Sequence, residues 1–343
     1  MKIEARERDF IVIGENVHTT RVVLRKGKLV VDDPDGNEAV RFYDTERQRR
    51  YLLIPDAVKK SQDYEEGRVK HIKIAALAAM QGDPTALDYL RRLVQRQVDA
   101  GADFLDLNVD EISLKPDEQK EAMQWLVRTV QEMTDTPLSI DSSNVETIEC
   151  GLKACAPARG RHMLNSASLE RLEALDLALR YDAQVVVTAA GKSGMPESAQ
   201  QRVDHAGRMV DAARQRGIAL GDLYIDPLIF PISVDSDFGN HSLDAIRQLR
   251  RQYGDEVHIT GGFSNVSFGL PCRRLINDAF FLLATDAGAD SAIMDPVTSG
   301  LNEVFSMDRE AKPYQLAADM LLGEDRLCKT FLRAYRKGEL ETK

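Results

Sequence analysis

Apolar residues in this chain come in short unbroken runs, separated by longer stretches in which they recur every three or four positions. The runs are DFIVIGENV (9–17), FLDLNV (104–109), PLSID (137–141), HMLNS (162–166), AQVVVTAA (183–190), LYIDPL (223–228), VHITGG (257–262) and SAIMDP (291–296). Continuous rather than alternating hydrophobicity marks parallel strands buried on both faces. Between them lie amphipathic helices, such as PTALDYLRRLVQRQVDAG (84–101), with Pro84 in the first turn and Gly101 at the stop. DEQKEAMQWLVRTVQEM (117–133) and ESAQQRVDHAGRMVDAARQRG (197–217) read the same way. Eight strands alternating with helices predict an α/β protein, a (β/α)8 TIM barrel. A doubly wound open sheet is the competitor, but it more often carries a G-x-G-x-x-G turn after an early strand, and this sequence has none.

One stretch breaks the alternation. Residues 20–69 hold VVLRKGKLVVDD, PDGNEAVRFYD and a charged ERQRR, with Gly27 and Asp35-Gly36 between β-branched runs. They read as hairpins inserted after the first strand. A βα loop leaves a barrel at its C-terminal face, where active sites sit. The insert is therefore expected beside or over the mouth, either as part of the site or as peripheral decoration. The whole chain, 1–343, is expected to be one barrel domain, carrying the 20–69 insert and a helical extension at 308–343.

A hydrophobic content of 43% suits a globular core, and a net charge of -10 argues against nucleic acid or an anionic membrane as partner. The N-terminal MKIEARERDF has no apolar stretch of a secretory signal, and no segment approaches the ~20 apolar residues of a membrane helix. Cys150, Cys155, Cys272 and Cys328 form no C-x-x-C pair, and the six histidines form no H-x-x-x-H. Free thiols, a cytoplasmic setting and no metal held by this chain are the expectation.

Chemistry concentrates at the strand ends. Strand one ends in Glu15-Asn16, strand two in Asp106-Leu107-Asn108, and strand three in Asp141-Ser142-Ser143-Asn144. Strand four ends in Asn165-Ser166, strand six in Asp226-Pro227, strand seven in Ser264-Asn265 and strand eight in Asp295-Pro296. A single strand-end Asp is usually a turn former or helix cap. Acids and amides at seven of eight ends make a polar ring, and on this reading it contains no histidine to act as a base. G-x-S-x-G is absent, and Lys192 lies two residues beyond strand five, as a solvated loop lysine rather than a Schiff-base former. Carboxylates and amides are suited to paired hydrogen bonds with planar heterocycles, of which a pterin is one.

The segments IGENVHTTR, GADFLDLNV, LSIDSSN, MLNSAS, LYIDPLIFP, GGFSNVSFGLP and AIMDP resemble, in order and spacing, the pterin-binding methyltransferases. These are the methyltetrahydrofolate:corrinoid-protein methyltransferases and the folate domain of cobalamin-dependent methionine synthase. The likeness covers residues 9–18 and about 84–300, and dihydropteroate synthase is only loosely similar. The resemblance implies methyl transfer between N5 of tetrahydrofolate and the cobalt of a corrinoid, with the direction left open. It places the pterin edge on Asp141, with Asn165 and Asp226 as further pterin contacts, and Asn265 at N5 as the catalytic amide. Asp106 and Asn108 join the pterin set, and Arg273 and Lys192 are candidates for the folate tail. Gly261 and Gly262 would let the backbone approach the ligand closely.

No cobalamin-binding D-x-H-x-x-G occurs, VDHAGR (203–208) having the wrong spacing. Cobalamin must come on a corrinoid-binding partner protein, or be used free. That partner, the folate itself and a second copy of the chain in a homodimer are the associations expected. Two departures from the family are Asp110, where relatives often have Gly, and the 20–69 insert. The rival readings are a dihydropteroate-synthase-like enzyme and a non-catalytic folate-binding module.

Overall fold

The computed structural model describes residues 9–340 apart from Ser193. Its principal sheet contains β1 (Ile11–His18), β2 (Phe104–Asn108), β3 (Leu138–Asp141), β4 (Met163–Ala167), β5 (Gln184–Thr188), β6 (Leu223–Asp226), β7 (His258–Ile259) and β8 (Ser291–Met294). Their order in the sheet is β7-β6-β5-β4-β3-β2-β1-β8. A parallel bridge between Gly262 and Ile293 joins the two ends, with Ile293 N donating to Gly261 O at 3.0 Å. The fold is a (β/α)8 barrel. Its helices include α1 (Pro84–Asp99), α2 (Pro116–Gln131), α3 (Val145–Ala154), α4 (Glu173–Arg180), α5 (Ala199–Gln215), α6 (Phe238–Tyr253), α7 (Arg273–Ala287) and α8 (Lys312–Leu321).

The expected boundaries have local causes. Asp83 caps α1, its Oδ1 accepting from Thr85 N at 2.8 Å and Ala86 N at 3.3 Å. Pro84 follows at the first helical position, and Gly101 closes the exit with φ +82°. Asn144 caps α3 and Ser198 caps α5 in the same manner. All five residues of β2 and all five of β4 are buried, as continuous apolar runs require.

The chain divides into two compact units, one of Gly14–Asn165 and one of Ser166 onward together with the chain up to Ile13. In the first, the region 20–69 folds as a three-stranded antiparallel sheet, Val30–Asp32, Glu38–Tyr43 and Arg49–Leu53. Both of its hairpin turns are built on an aspartate. Asp33 Oδ1 accepts from Asp35 N and Asn37 N, and Asp44 Oδ1 accepts from Glu46 N and Gln48 N. The charged ERQRR is thus a turn running into a strand, with Arg50 paired to Asp44 at 2.9 Å. The Gly27 turn does not make a hairpin, because Val23–Leu24 pairs with Arg68–Val69 instead. The small sheet packs on α1, with Phe42 edge-on to Tyr89 at 4.9 Å between centroids. Tyr89 also bonds His71 Nδ1 at 2.7 Å.

In the second unit, Phe10, Phe281 and Phe305 form an aromatic cluster, Phe281 also meeting Phe263. The C-terminal α8 packs on α7. A Cβ at Gly239, in the first turn of α6, would strike the Leu321 carbonyl of α8, so only glycine fits that crossing.

Candidate active site

In the Gly14–Asn165 unit the strand-end polar residues pair across neighbouring strands. Register places Asn108 opposite Asp141 and Asp141 opposite Asn165, a row across β2, β3 and β4. Asn108 Nδ2 donates to Asp141 Oδ2 at 2.8 Å, and Asn165 Nδ2 donates to Asp106 Oδ1 at 3.3 Å. Asp106 and Asn108, two apart on one strand, share a face. Asp106 is completely buried and Asp141 partly so.

The expectation that the ring contains no histidine is corrected here. β1 runs one residue further than the apolar run, to His18, whose Nε2 lies 2.7 Å from Asp106 Oδ2. His18 shares a face with Asn16, two residues earlier. The signal was present in ENVHTT, where buried Val17 and Thr19 bracket the histidine and continue the alternation. Burial works against charge on His18. The hydrogen bond and charge of Asp106, with Asp141 and Glu15 beyond, outweigh it and raise its pKa to about 9. Asp141 moves up to about 7, first through burial and then through the charge of Asp106, with His18 and Asn108 pulling the other way. His18, Asp106 and Asp141 also present ligand atoms within 4.8 Å of one another, the one such cation-holding trio among the described residues.

Asp110, the departure from the family pattern, ties two loops together. It accepts from Ser142 Oγ at 2.5 Å and from Ser143 N at 2.8 Å. It braces the turn after β3 rather than adding free acid to it.

In the other unit, Asp226 ends β6, and its Oδ1 accepts from Leu228 N at 2.7 Å across a turn in which Leu228 has φ +65°. Burial lifts its pKa to about 6, against the pull of the Leu228 amide and the charge of Arg202. Arg202 was not foreseen. Wholly buried on α5, it donates from Nε to Leu228 O at 3.3 Å and from Nη1 to Ser198 O at 3.1 Å. Its guanidinium lies 4.9 Å above the Phe230 ring. It thereby clamps the D-P-L-I-F turn that carries Asp226. No sequence motif announces it, since an arginine on an amphipathic helix normally reads as exposed.

Asn265 lies exposed in the 3-10 turn Phe263–Ser267. Its backbone N donates to Gly262 O and its O accepts from Phe268 N, each at 3.1 Å. Its side-chain amide makes no hydrogen bond to any described residue. Arg273 is committed to this same turn, giving Nη2 to Ser264 O at 2.8 Å and Nε to Ser267 Oγ at 3.0 Å. Lys192 is exposed in the loop after β5. Asp295 is a plain turn former, accepting from Val297 N and Thr298 N.

The two glycines stand close against the protein's own side chains. A Cβ on Gly261 would collide with Ile229 Cδ1 and stand 3.2 Å from Asp226 Oδ1, and one on Gly262 would stand 3.0 Å from Asn265 Nδ2. Gly261→Ala is accordingly expected to cost roughly 1–3 kcal/mol of stability through overpacking. It should also weaken ligand binding by displacing Asp226. Chemical denaturation and calorimetry on the variant measure the two effects, and unchanged values in both would show that the β6 turn yields freely.

Comparison with known proteins agrees with this architecture. The family model described as "Pterin binding enzyme" matches residues 80–295. The chain is 31% identical over 258 residues to the methylcorrinoid:tetrahydrofolate methyltransferase of Eubacterium limosum, across 74% of this chain and 89% of that protein. Solved dihydropteroate synthases share the fold. That of Xanthomonas albilineans has a TM-score of 0.53 at 20% identity, over 65% of this chain and 85% of its own. That of Yersinia pestis gives 0.51 at 19%, over 64% and 87%. The chain belongs to the pterin-binding enzymes, and among them to the methyltransferases.

Proposed function

We propose that this chain moves a methyl group between N5 of tetrahydrofolate and the cobalt of a corrinoid carried by a partner protein. The observation that carries the reading is the 31% identity, over most of both chains, to a protein named for that exchange. The acid-and-amide character of the strand ends supports it. A synthase acting on a pterin pyrophosphate needs cations free for the diphosphate, and here Arg273 is spent on its own turn while Arg202 is buried.

In this reading Asp141 and Asp226 accept N–H groups of the pterin edge, with Asn165, Asp106 and Asn108 completing the pterin contacts. Asn265, its amide bonded to no described residue, is the hydrogen-bonding partner of N5. Toward cobalt, the electron pair of cobalt(I) forms the new bond to the methyl carbon. The C–N5 bond breaks with its pair left on nitrogen, and N5 keeps a proton. The reverse step forms the N–C bond and returns the pair to cobalt. An amide cannot supply that proton as an acid near neutral pH, but it can orient it and stabilise the developing charge. Lys192, exposed and one loop beyond β5, is proposed for the folate tail, whereas Arg273 serves the Asn265 turn first. The 20–69 region is proposed as a docking element for the corrinoid protein, and a cytoplasmic homodimer belongs to the same reading.

The test is cobalt spectroscopy with the purified protein. 5-Methyltetrahydrofolate and cob(I)alamin are supplied in one direction, tetrahydrofolate and methylcobalamin in the other. Methyl exchange in either direction is the expected result. Tetrahydrofolate binding without exchange, with free or protein-bound corrinoid, would make the chain a folate-binding module. Turnover of a pterin pyrophosphate with p-aminobenzoate would make it a synthase.

A further inference from the structure

His18 stands beside two aspartates, and no role in pterin binding has been given to it. Its Nε2 is 2.7 Å from the completely buried Asp106, and its own side chain is only 13% exposed. Asp106 in turn accepts from Asn165, and Asp141 from Asn108. Two carboxylates at this burial repel one another unless something positive stands between them. A divalent cation is one way to supply that charge, and the trio has the ligand atoms for it. A protonated histidine is the other, and it already makes the short bond that a metal would have to break.

We propose that His18, as an imidazolium bonded to Asp106, is a positioning residue that keeps Asp141 an ionised acceptor for the pterin. The proposal rests on the reading of Asp141 as a pterin ligand. Four acidic groups bear on the pair: Asp106 on β2, Asp141 on β3, Glu15 on β1 and Asp110 in the loop after β2. Arg21 offsets Glu15 at 3.5 Å. Asn108 and Asn165 are neutral. The cluster is therefore predominantly acidic, and among the described residues the His18 proton is the one positive charge that bonds Asp106.

The chemistry gives a signed pH profile. Folate affinity rises as Asp141 loses its proton, near pH 7 while His18 is protonated, and levels off once Asp141 is ionised. Without the imidazolium the Asp141 proton is held more tightly. His18→Gln should therefore move this limb up by about one pH unit, a loss of affinity of roughly five-fold near pH 7 that approaches ten-fold toward pH 6.

Two measurements on the full-length protein test this. The first is an NMR titration of the His18 ring without folate, where a titration well above 6.5 is expected, and one at or below 6.5 overturns the proposal. The second is calorimetry of tetrahydrofolate binding from pH 6 to 10 for wild type and His18→Gln. A variant that keeps the wild-type profile overturns the proposal and leaves the pterin reading standing. Wild-type protein that binds no tetrahydrofolate at any pH sinks both. Titration with Zn2+ or Mg2+ closes the remaining route, because tight binding that His18→Gln removes would put a metal where the proton is proposed.

Discussion

Asn265→Ala is expected to slow single-turnover methyl transfer about ten- to a thousand-fold, the usual consequence of losing one donor aimed at transition-state charge. Folate affinity should fall less than the rate, because the bond to N5 strengthens only as charge develops on nitrogen. The structure sharpens the contrast with a merely structural role. The turn is closed by the Asn265 backbone, by the committed Arg273 guanidinium and by Ser267, while the Asn265 side chain bonds no described residue. Truncating that side chain should therefore leave the Phe263–Ser267 turn and the melting temperature nearly unchanged. Asn265→Asp keeps size and an acceptor but loses the amide donor, so it should be slow as well. Stopped-flow cobalt spectra decide the matter, and an unchanged rate per folded molecule would remove Asn265 from the mechanism.

The second large effect is on binding. Asp141→Ala and Asp226→Ala should each weaken tetrahydrofolate binding by about ten- to a hundred-fold, the 1.5–3 kcal/mol of a charge-assisted hydrogen bond. Both carboxyls titrate far above their ordinary value, Asp226 near 6 and Asp141 near 7, chiefly through burial. Ionisation favours the ligand, so affinity through these groups should climb as pH rises through 6 to 7. Their effect on folding has the opposite sign. A carboxyl whose folded pKa is raised favours the folded state below its ordinary pKa, and that contribution is lost as pH rises through the folded value. Asp141→Asn and Asp226→Asn should thus gain stability relative to wild type at pH 8 while losing affinity. Denaturation and calorimetry on the same samples read both signs, and stability that moves with affinity would contradict the burial that raises these pKa values.

The barrel was legible because its causes are local. Unbroken apolar runs, a capping Asp83, a first-turn Pro84 and a stopping Gly101 each act within a few residues of themselves. The acids and amides at the strand ends were legible for the same reason, since the end of an apolar run can be counted along the chain. The insert was half legible: the Asp35-Gly36 turn makes its hairpin, but Gly27 does not, because Val23–Leu24 takes Arg68–Val69 as partner across more than forty residues.

What the sequence by itself determined was therefore the alternation of elements, the polar ring and, through its motifs, the family. Tertiary structure alone decided how each polar residue is held and how far burial perturbs it. Asp110, Asp226 and Asp295 all accept hydrogen bonds from neighbouring turns, while burial lifts the pKa of Asp141 and Asp226, distinctions that their similar strand-end sequences do not show. His18 became part of the ring because β1 extends one residue and sets it against Asp106, eighty-eight positions away. Arg202 became a clamp because two phenylalanines and a carbonyl close around it. The physical reason is common to all of these residues. A side chain's charge depends on burial and on neighbours distant in the chain, and neither is a property of its own stretch of sequence.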